Sequence, residues 1–436
     1  MAPSNPNSSA AAPPAARGPM ISADDALARL LAAVAPSGRT EALPTPEAWG
    51  RVLARDVVSG VDVPPADNSA MDGYAVRVAD LAAAAGARLP VSQRIAAGAV
   101  GRPLEAGTAA RIFTGAPLPP GADAVVMQEQ CEAVPPEGPE DRLGGVRIQV
   151  LPRAGAAVRR RGEDVRSGGV VLRAGHRLDA AAIGLAATVG MARLDVAARP
   201  RVALFSTGDE LVMPGERLPP GAIYDSNRFM LGALLRGLGC AVTDLGNVPD
   251  RLDATRAMLR AAAHDNDLIL SSGGVSVGEE DHLKPALAAE GRLDLWAVAI
   301  KPGKPLAFGA VRRGGEPRGG RPEETWFIGL PGNPVSSHVT FTLFVRPVLL
   351  RLQGARTLMP AGLPARADFD WPAPDRRREF LRVRRNAGGG LDLFANQGSG
   401  VLTSLAWADG LADIAPGRVV RRGDLVPFLS LAELAP

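Results

Sequence analysis

Leu268-Ile269-Leu270-Ser271-Ser272-Gly273-Gly274-Val275-Ser276-Val277-Gly278-Glu279-Glu280-Asp281 is an apolar run of strand length that breaks into a glycine-rich loop. A short, fully apolar run bounded by glycines reads as a strand buried on both faces, the kind a parallel sheet contains. Working outward, the neighbouring segments repeat the pattern. Val202–Phe205 is another such strand and runs into Ser206-Thr207-Gly208-Asp209-Glu210. Asp225 or Ser226 then caps a helix with the apolar stripe Met230, Leu231, Leu234, Leu235 and Leu238, stopped by Gly239. Strand 241–245, helix 253–263 and the strand at 268 follow. Later come strands at 296–300, 306–311 and 326–330, and a helix from about 335 to 352. Alternating elements joined by right-handed crossovers give a doubly wound, mostly parallel α/β sheet over 199–353.

The flanks differ. Ser22, Asp24 and Asp25 precede Leu27, Leu30, Leu31 and Val34, a capped helix with one buried face. Residues 59–152 show short apolar runs between Pro/Gly turns (111–114, 124–128, 146–151), with a helix only near 80–85, and form an inserted β-rich domain. Asp179 caps a helix at 180–189, expected to pack with the N-terminal one and make a discontinuous helical/linker domain of 19–58 and 153–198. Residues 354–436 turn all-β, at 380–383, 391–394, 419–420 and 425–429, and are expected to form a small C-terminal β-barrel or sandwich. The Arg/Gly-rich segment 312–324 reads as a long mobile hairpin loop. Residues 1–18, rich in Ser, Pro and Ala, read as a disordered tail without the apolar run of a signal peptide.

Composition narrows the function. The 436 residues carry a formal charge of +3 and only 4% aromatics, which argues against broad nucleic-acid binding. Two cysteines, Cys131 and Cys240, and four histidines without metal spacing argue against a disulfide framework or a zinc centre. No apolar stretch is long enough to span a membrane, and a cytoplasmic location is expected.

In a doubly wound sheet, ligands sit beyond the carboxyl ends of the strands. Three glycine-bearing loops leave strands at that edge: 206–210, 271–278 and Pro331-Gly332-Asn333-Pro334. In the second, Gly273, Gly274 and Gly278 free backbone N–H groups to form an anion nest, and Ser271, Ser272 and Ser276 add hydroxyls. Acids beside such a nest repel an anion unless a cation intervenes, so Mg²⁺ between carboxylate and phosphate is the economical reading. The plain alternative is a glycine turn before a helix cap. Lys301-Pro302-Gly303-Lys304-Pro305 offers two lysines on a stiff loop; the plain alternative is a surface turn. Together these signals describe a polyanion site with a metal.

Seven stretches resemble one family closely. Asp67-Asn68-Ser69-Ala70-Met71-Asp72-Gly73-Tyr74-Ala75, Phe113-Thr114-Gly115-Ala116-Pro117, Arg160-Arg161-Gly162-Glu163-Asp164, Ser206-Thr207-Gly208-Asp209-Glu210-Leu211, 271–279, 301–305 and 330–334 are similar to molybdopterin molybdenumtransferase motifs. The same motifs occur in the E domain of gephyrin. They stand in the family's order and span nearly the whole chain. The resemblance implies a molybdopterin-binding α/β domain and a homodimer of four-domain subunits. It also implies an active site shared between subunits, with Asp72 and Thr114 reaching in from the partner.

Asp72, Thr114, Asp164, Glu210, Asp250, Asp281, Lys301, Lys304, Arg378 and Ser399 stand where the family has functional residues, with Arg377 or Ser404 as alternative counterparts of the last two. The implied reaction takes adenylylated molybdopterin and molybdate to molybdenum cofactor and AMP. Lys301 and Lys304 would hold oxyanion charge, and Glu210, Asp250 and Asp281 would position Mg²⁺. A molybdopterin adenylyltransferase and recipient molybdoenzymes would be transient partners, with no nucleic acid and no membrane. The rival readings are an adenylyltransferase and a non-catalytic gephyrin-like scaffold.

Overall fold

A computed structural model describes residues 20–83, 86, 88–138, 141–249, 251–274, 282–314 and 323–434. The 1–18 tail, the tip of the 312–324 connection, and Asp250, Ser276, Gly278 and Asp281 lie outside the described residues. The chain divides into two compact units: one of 1–41, 50–52 and 197–436, the other of 42–49 and 53–196.

In the first unit the strands Ala241–Val248, Arg201–Thr207, Leu268–Ser272 and Glu324–Leu330 lie side by side and parallel. Pro305–Arg312 and Gly291–Ala297 continue the sheet antiparallel. Register decides where the loops go. Ser206 pairs with Ser272, and Ser272 with Leu330, so three carboxyl ends finish level. Because Pro305–Arg312 runs the opposite way, with Ala307 opposite Gly329, its beginning reaches the same edge. The 301–305 loop therefore arrives beside the three glycine loops by strand direction alone.

Helices cover both faces. Leu231 and Leu235 of the helix at Ser226–Gly237, and Leu238 just after it, pack with Val202, Leu204, Leu268 and Leu270. Leu259, Ala262 and Ala263 of Leu252–Asp265 pack with Phe205, Ile269 and Phe327 on the other face. The strand alternation Ala203–Leu204–Phe205 supplies both cores at once, as the unbroken apolar run requires. The helix from Pro334 to Leu352 passes through a π-turn at Phe341–Val345 and is buried almost throughout.

The same unit ends in a closed barrel. Arg378–Arg385 pairs with Gly390–Leu393 and Gly410–Ile414, and Leu363–Ala367 with Gly390–Leu393 and Leu425–Ser430. Gly410–Ile414 closes the ring against Leu425–Ser430. Val419–Val420 is no strand: Val420 makes only an isolated bridge to Trp371.

The second unit carries a six-stranded sheet between Gly73 and Ile148 and a short helix at Val78–Ala83. The expected packing of the two helices against each other needs correction. Ala23–Ala33 buries Ala23, Ala26 and Leu30 in the core that contains Val202 and Phe341. Ala180–Thr188 buries Ala182 and Ala186 in a core with Ala48, Leu53 and Leu178. Each helix turns its apolar face to a different core. No helix among the described residues is long and apolar enough to cross a membrane.

Phe205 is fully buried between sheet and helix. Phe205→Ala is expected to cost about 3–5 kcal/mol, measured as a lower urea midpoint with an unchanged slope.

Candidate active site

The loops at the aligned strand ends enclose a cleft of about 1060 Å³. Its walls include Thr207, Gly208 and Glu210 from the first loop, Ser272, Gly273 and Gly274 from the second, and 331–334 from the third. Lys301–Pro305 forms a further wall, and Arg377 and 397–400 of the barrel complete it.

The loops meet because glycine lets them. Gly273 and Gly274 have φ of +89° and +66°. A Cβ on Gly273 would stand 2.8 Å from the Thr207 carbonyl oxygen, and one on Gly274 2.9 Å from the Thr207 hydroxyl. Any side chain there would push the first two loops apart. The Gly273 N–H donates to the Leu330 carbonyl at 3.1 Å, so it ties the second loop to the third strand end instead of facing a ligand.

A residue not singled out from sequence joins the loops. Asn227, in the first turn of its helix, donates from Nδ2 to the Ser272 hydroxyl at 2.9 Å and to the Gly332 carbonyl at 2.7 Å. Asn333 stands at the position before the helix beginning at Pro334, makes no side-chain capping bond, and donates from Nδ2 to the Ser399 hydroxyl at 3.1 Å. That bond fastens the barrel loop to the sheet edge. Ser399 lies on the cleft wall, whereas Ser271 is fully buried and is not among the described residues that line the cleft. Ser404 is also buried, donating to the Val401 carbonyl and accepting from Arg382.

The cations are placed unequally. Lys301 and Lys304 both line the cleft. Lys301 Nζ lies 3.0 Å from Glu379 Oε1 and 3.6 Å from Asp375 Oδ2. Arg378 does not line the cleft: it bonds Asp413 at 2.7 Å through Nε and Asp24 at 2.9 Å. Arg377 lines it instead, with a two-pronged pair to Asp375 at 3.0 and 2.7 Å. The side-chain bonds from Arg377 hold the Asp375 carboxyl well below the usual carboxylate range, with burial opposing.

Two acids line the described part of the cleft, Glu210 and Asp225. Asp225 caps its helix and pairs with Arg228 at 3.0 Å. Glu210 is exposed, and its carboxylate lies over the Gly208 Cα. The hard oxygen donors here, the Glu210 carboxylate and the Thr207 and Ser272 hydroxyls, suit Mg²⁺. Neither cysteine lines the cleft, and burial pushes the Cys240 thiol up to about 12.

In the other unit Asp72 and Thr114 meet. Asp72 Oδ1 accepts from the Thr114 N–H and from its hydroxyl, both at 2.8 Å. The backbone bond first, then the hydroxyl, holds the Asp72 carboxyl below its ordinary range. The Arg94 and Arg111 guanidiniums lie over the adjacent Phe113 ring at 4.5 and 4.7 Å. Asp164 lies on an exposed turn, its N–H donating to the Val63 carbonyl at 3.0 Å.

Comparison with known proteins finds one family along most of the chain. Residues 21–190 match the MoeA N-terminal region (domain I and II), 203–351 a probable molybdopterin binding domain, and 364–431 the MoeA C-terminal region (domain IV). The molybdopterin molybdenumtransferase of Haemophilus influenzae is 41% identical over 341 residues, 77% of this chain and 79% of that one. Molybdopterin molybdenumtransferase 2 of Mycobacterium tuberculosis is 37% identical over 397 residues, 88% and 93% of the two chains. The crystal structure of the molybdopterin biosynthesis MoeA protein from Pyrococcus horikoshii OT3 superposes with a TM-score of 0.77 at 28% identity, covering 94% of this chain and 100% of that one.

Gly208 has φ of +139°, and an added Cβ would stand 2.5 Å from Glu210 Oε2. Gly208→Ala is expected to displace the Glu210 carboxylate and to destabilise the chain by about 1–3 kcal/mol through backbone strain. Adding Glu210→Ala relieves the contact but not the strain, so a thermal melt should find the double variant as destabilised as Gly208→Ala alone.

Proposed function

The chain belongs to the molybdopterin molybdenumtransferase family and is a transferase of molybdenum cofactor biosynthesis, and from that premise we propose that its cleft converts adenylylated molybdopterin and molybdate to molybdenum cofactor and AMP. The observation that carries this reading is the meeting of Lys301, Lys304, Arg377, Ser399 and the three strand-end loops around one cleft large enough for a pterin nucleotide. Both substrates are anionic, and both need cations and hydroxyl donors at fixed positions.

The chain's own groups divide the work. Lys301, Lys304 and Arg377 hold the molybdate and pyrophosphate oxygens, and Ser399 and Ser272 add hydrogen bonds. Glu210 would hold Mg²⁺ together with substrate phosphates, and Asp250 and Asp281 belong to the same proposed set. Mg²⁺ would supply Lewis-acid charge at the pyrophosphate link. The substrate's dithiolene sulfurs replace one molybdate oxygen, which leaves as water with the two thiol protons. A second water is consumed when the phosphoanhydride is cleaved to AMP. The chemistry lies between the two substrates, and the protein's part is to orient them and neutralise their charge. Asp72 and Thr114 of a second copy complete each site in this reading, making the enzyme a homodimer with two composite centres. A molybdopterin adenylyltransferase would deliver the substrate and molybdoenzymes would take the product.

A single-turnover assay with adenylylated molybdopterin tests the assignment. AMP release is expected only with molybdate and Mg²⁺ present, and to fall at least a hundredfold in Glu210→Ala. Release at the same rate without molybdate overturns it and favours an adenylyltransferase. Sharing of the site is tested by mixing Asp72→Asn with Lys304→Ala. Each variant alone is expected to be inactive. The re-equilibrated mixture should recover about a quarter of wild-type activity, because half the dimers then carry one intact site of two. No recovery places all the groups in one subunit.

A further inference from the structure

Resting on the reading of the cleft as an oxyanion site, we propose that Asp375 is an internal counter-ion that pairs with Lys301 and Arg377 and competes with the incoming oxyanion for them. Asp375 does not itself line the cleft, but the two cleft-lining cations that touch it do. Its Oδ2 is 2.7 Å from Arg377 Nη2 and 3.6 Å from Lys301 Nζ. One carboxylate therefore bridges two cations contributed by different elements, the 301–305 loop and the entry to the barrel strand Arg378–Arg385.

The neighbouring acid has a different task. Glu379 is 1% exposed, and its Oε2 accepts from the Trp371 indole N–H at 2.8 Å and from the Asp375 N–H at 2.9 Å. It also pairs with Lys301 across the register that sets Lys301 opposite Glu379. Glu379 is thus fixed by the barrel and fixes the Asp375 backbone in turn. Asp375 is one-fifth exposed, and among the described residues its carboxylate is bound by the two cations and by the Arg377 N–H at 3.1 Å. It can release both cations without leaving the fold.

Charge gives the arrangement its consequence. Lys301 and Arg377 together are balanced by Asp375 and Glu379, so these two cations carry no net excess of their own. An arriving dianion replaces one carboxylate on two cations, and it also feels repulsion from the Asp375 charge a few ångströms away. Both effects weaken binding and speed release. Asp375 is therefore a positioning residue that keeps the cations extended and sets affinity below what they alone would give.

Titration of the full-length protein with molybdate, and separately with sulfate as a dianion probe, tests the idea. Asp375→Asn keeps the shape and the acceptor for the Arg377 N–H. It is expected to bind both anions roughly three- to thirtyfold more tightly, with slower dissociation. In a Lys301→Gln background the same change should gain much less. A structural role alone predicts the opposite sign, since loosened cations bind anions more weakly. Unchanged or weaker binding in Asp375→Asn, with its melting temperature kept, overturns the proposal. Asp375→Ser serves as the second variant, and the same outcome there is decisive if the asparagine form does not fold. Failure of the wild-type protein to bind either anion sinks the oxyanion reading itself, whereas wild-type binding without a gain in the variants sinks only the role of Asp375.

Discussion

The close approach of the Thr207 carbonyl and hydroxyl to Gly273 and Gly274 is the contact on which the cleft depends. Parallel strands in matched register bring their ends level, but level ends still leave loops that can splay apart. Two consecutive residues in the left-handed region, each without a side chain, let the second loop lie directly on the first. The Gly273 amide then reaches the Leu330 carbonyl, and Asn227 spans from Ser272 to Gly332. Backbone sterics thus come first, and the hydrogen bonds fix what the sterics allow.

Once the loops are joined, electrostatics follows from what each can contribute. Three cations line the cleft, and two of them are already paired with acids of the barrel. Lys304 is the cleft cation with no ion pair among the described residues. A site assembled this way is neither a strongly positive sink nor a neutral pocket. On the proposed reading, selectivity for anions would come from donors held at fixed places, which is where hydrogen-bond geometry outweighs net charge.

How much of this was legible in the sequence depended on whether the signal was local. The alternation of apolar strands and capped helices over 199–353 is written residue by residue, and the mostly parallel sheet formed, although the strand expected at 296–300 runs at Gly291–Ala297 and Ile300–Lys301 joins the barrel instead. Convergence of the glycine loops followed from topology. Asn227 was invisible because its partners lie 45 and 105 residues away, and an Asn in a first helical turn looks like a cap. The choice between Arg377 and Arg378 was also beyond local reading. Successive residues entering a strand point to opposite faces, and three arginines in a row carry no phase. The barrel strands Leu363–Ala367 and Gly410–Ile414 were missed because Pro, Ala and Gly blur their alternation, and closure of the ring supplies the burial. The helix Ala23–Ala33 was read correctly as an element, but an apolar stripe does not name the core it will join.

The carboxylates show how one residue type takes several roles under different restraints. Asp225 is locked between a helix cap and Arg228. Asp375 is held by a guanidinium and a lysine, and Glu379 by an indole and a backbone amide. Asp72 is oriented through one oxygen by both donors of Thr114, which leaves its second oxygen outside that pair. Among the described acids of the cleft wall, Glu210 alone has neither a cap to form nor a cation to neutralise it. A carboxylate left unpaired in a cleft proposed to take anions would repel such a ligand, unless a second positive charge arrives with it. The physical case for a divalent ion at Glu210 therefore rests on what the rest of the wall has already spent its cations on, independent of any family likeness.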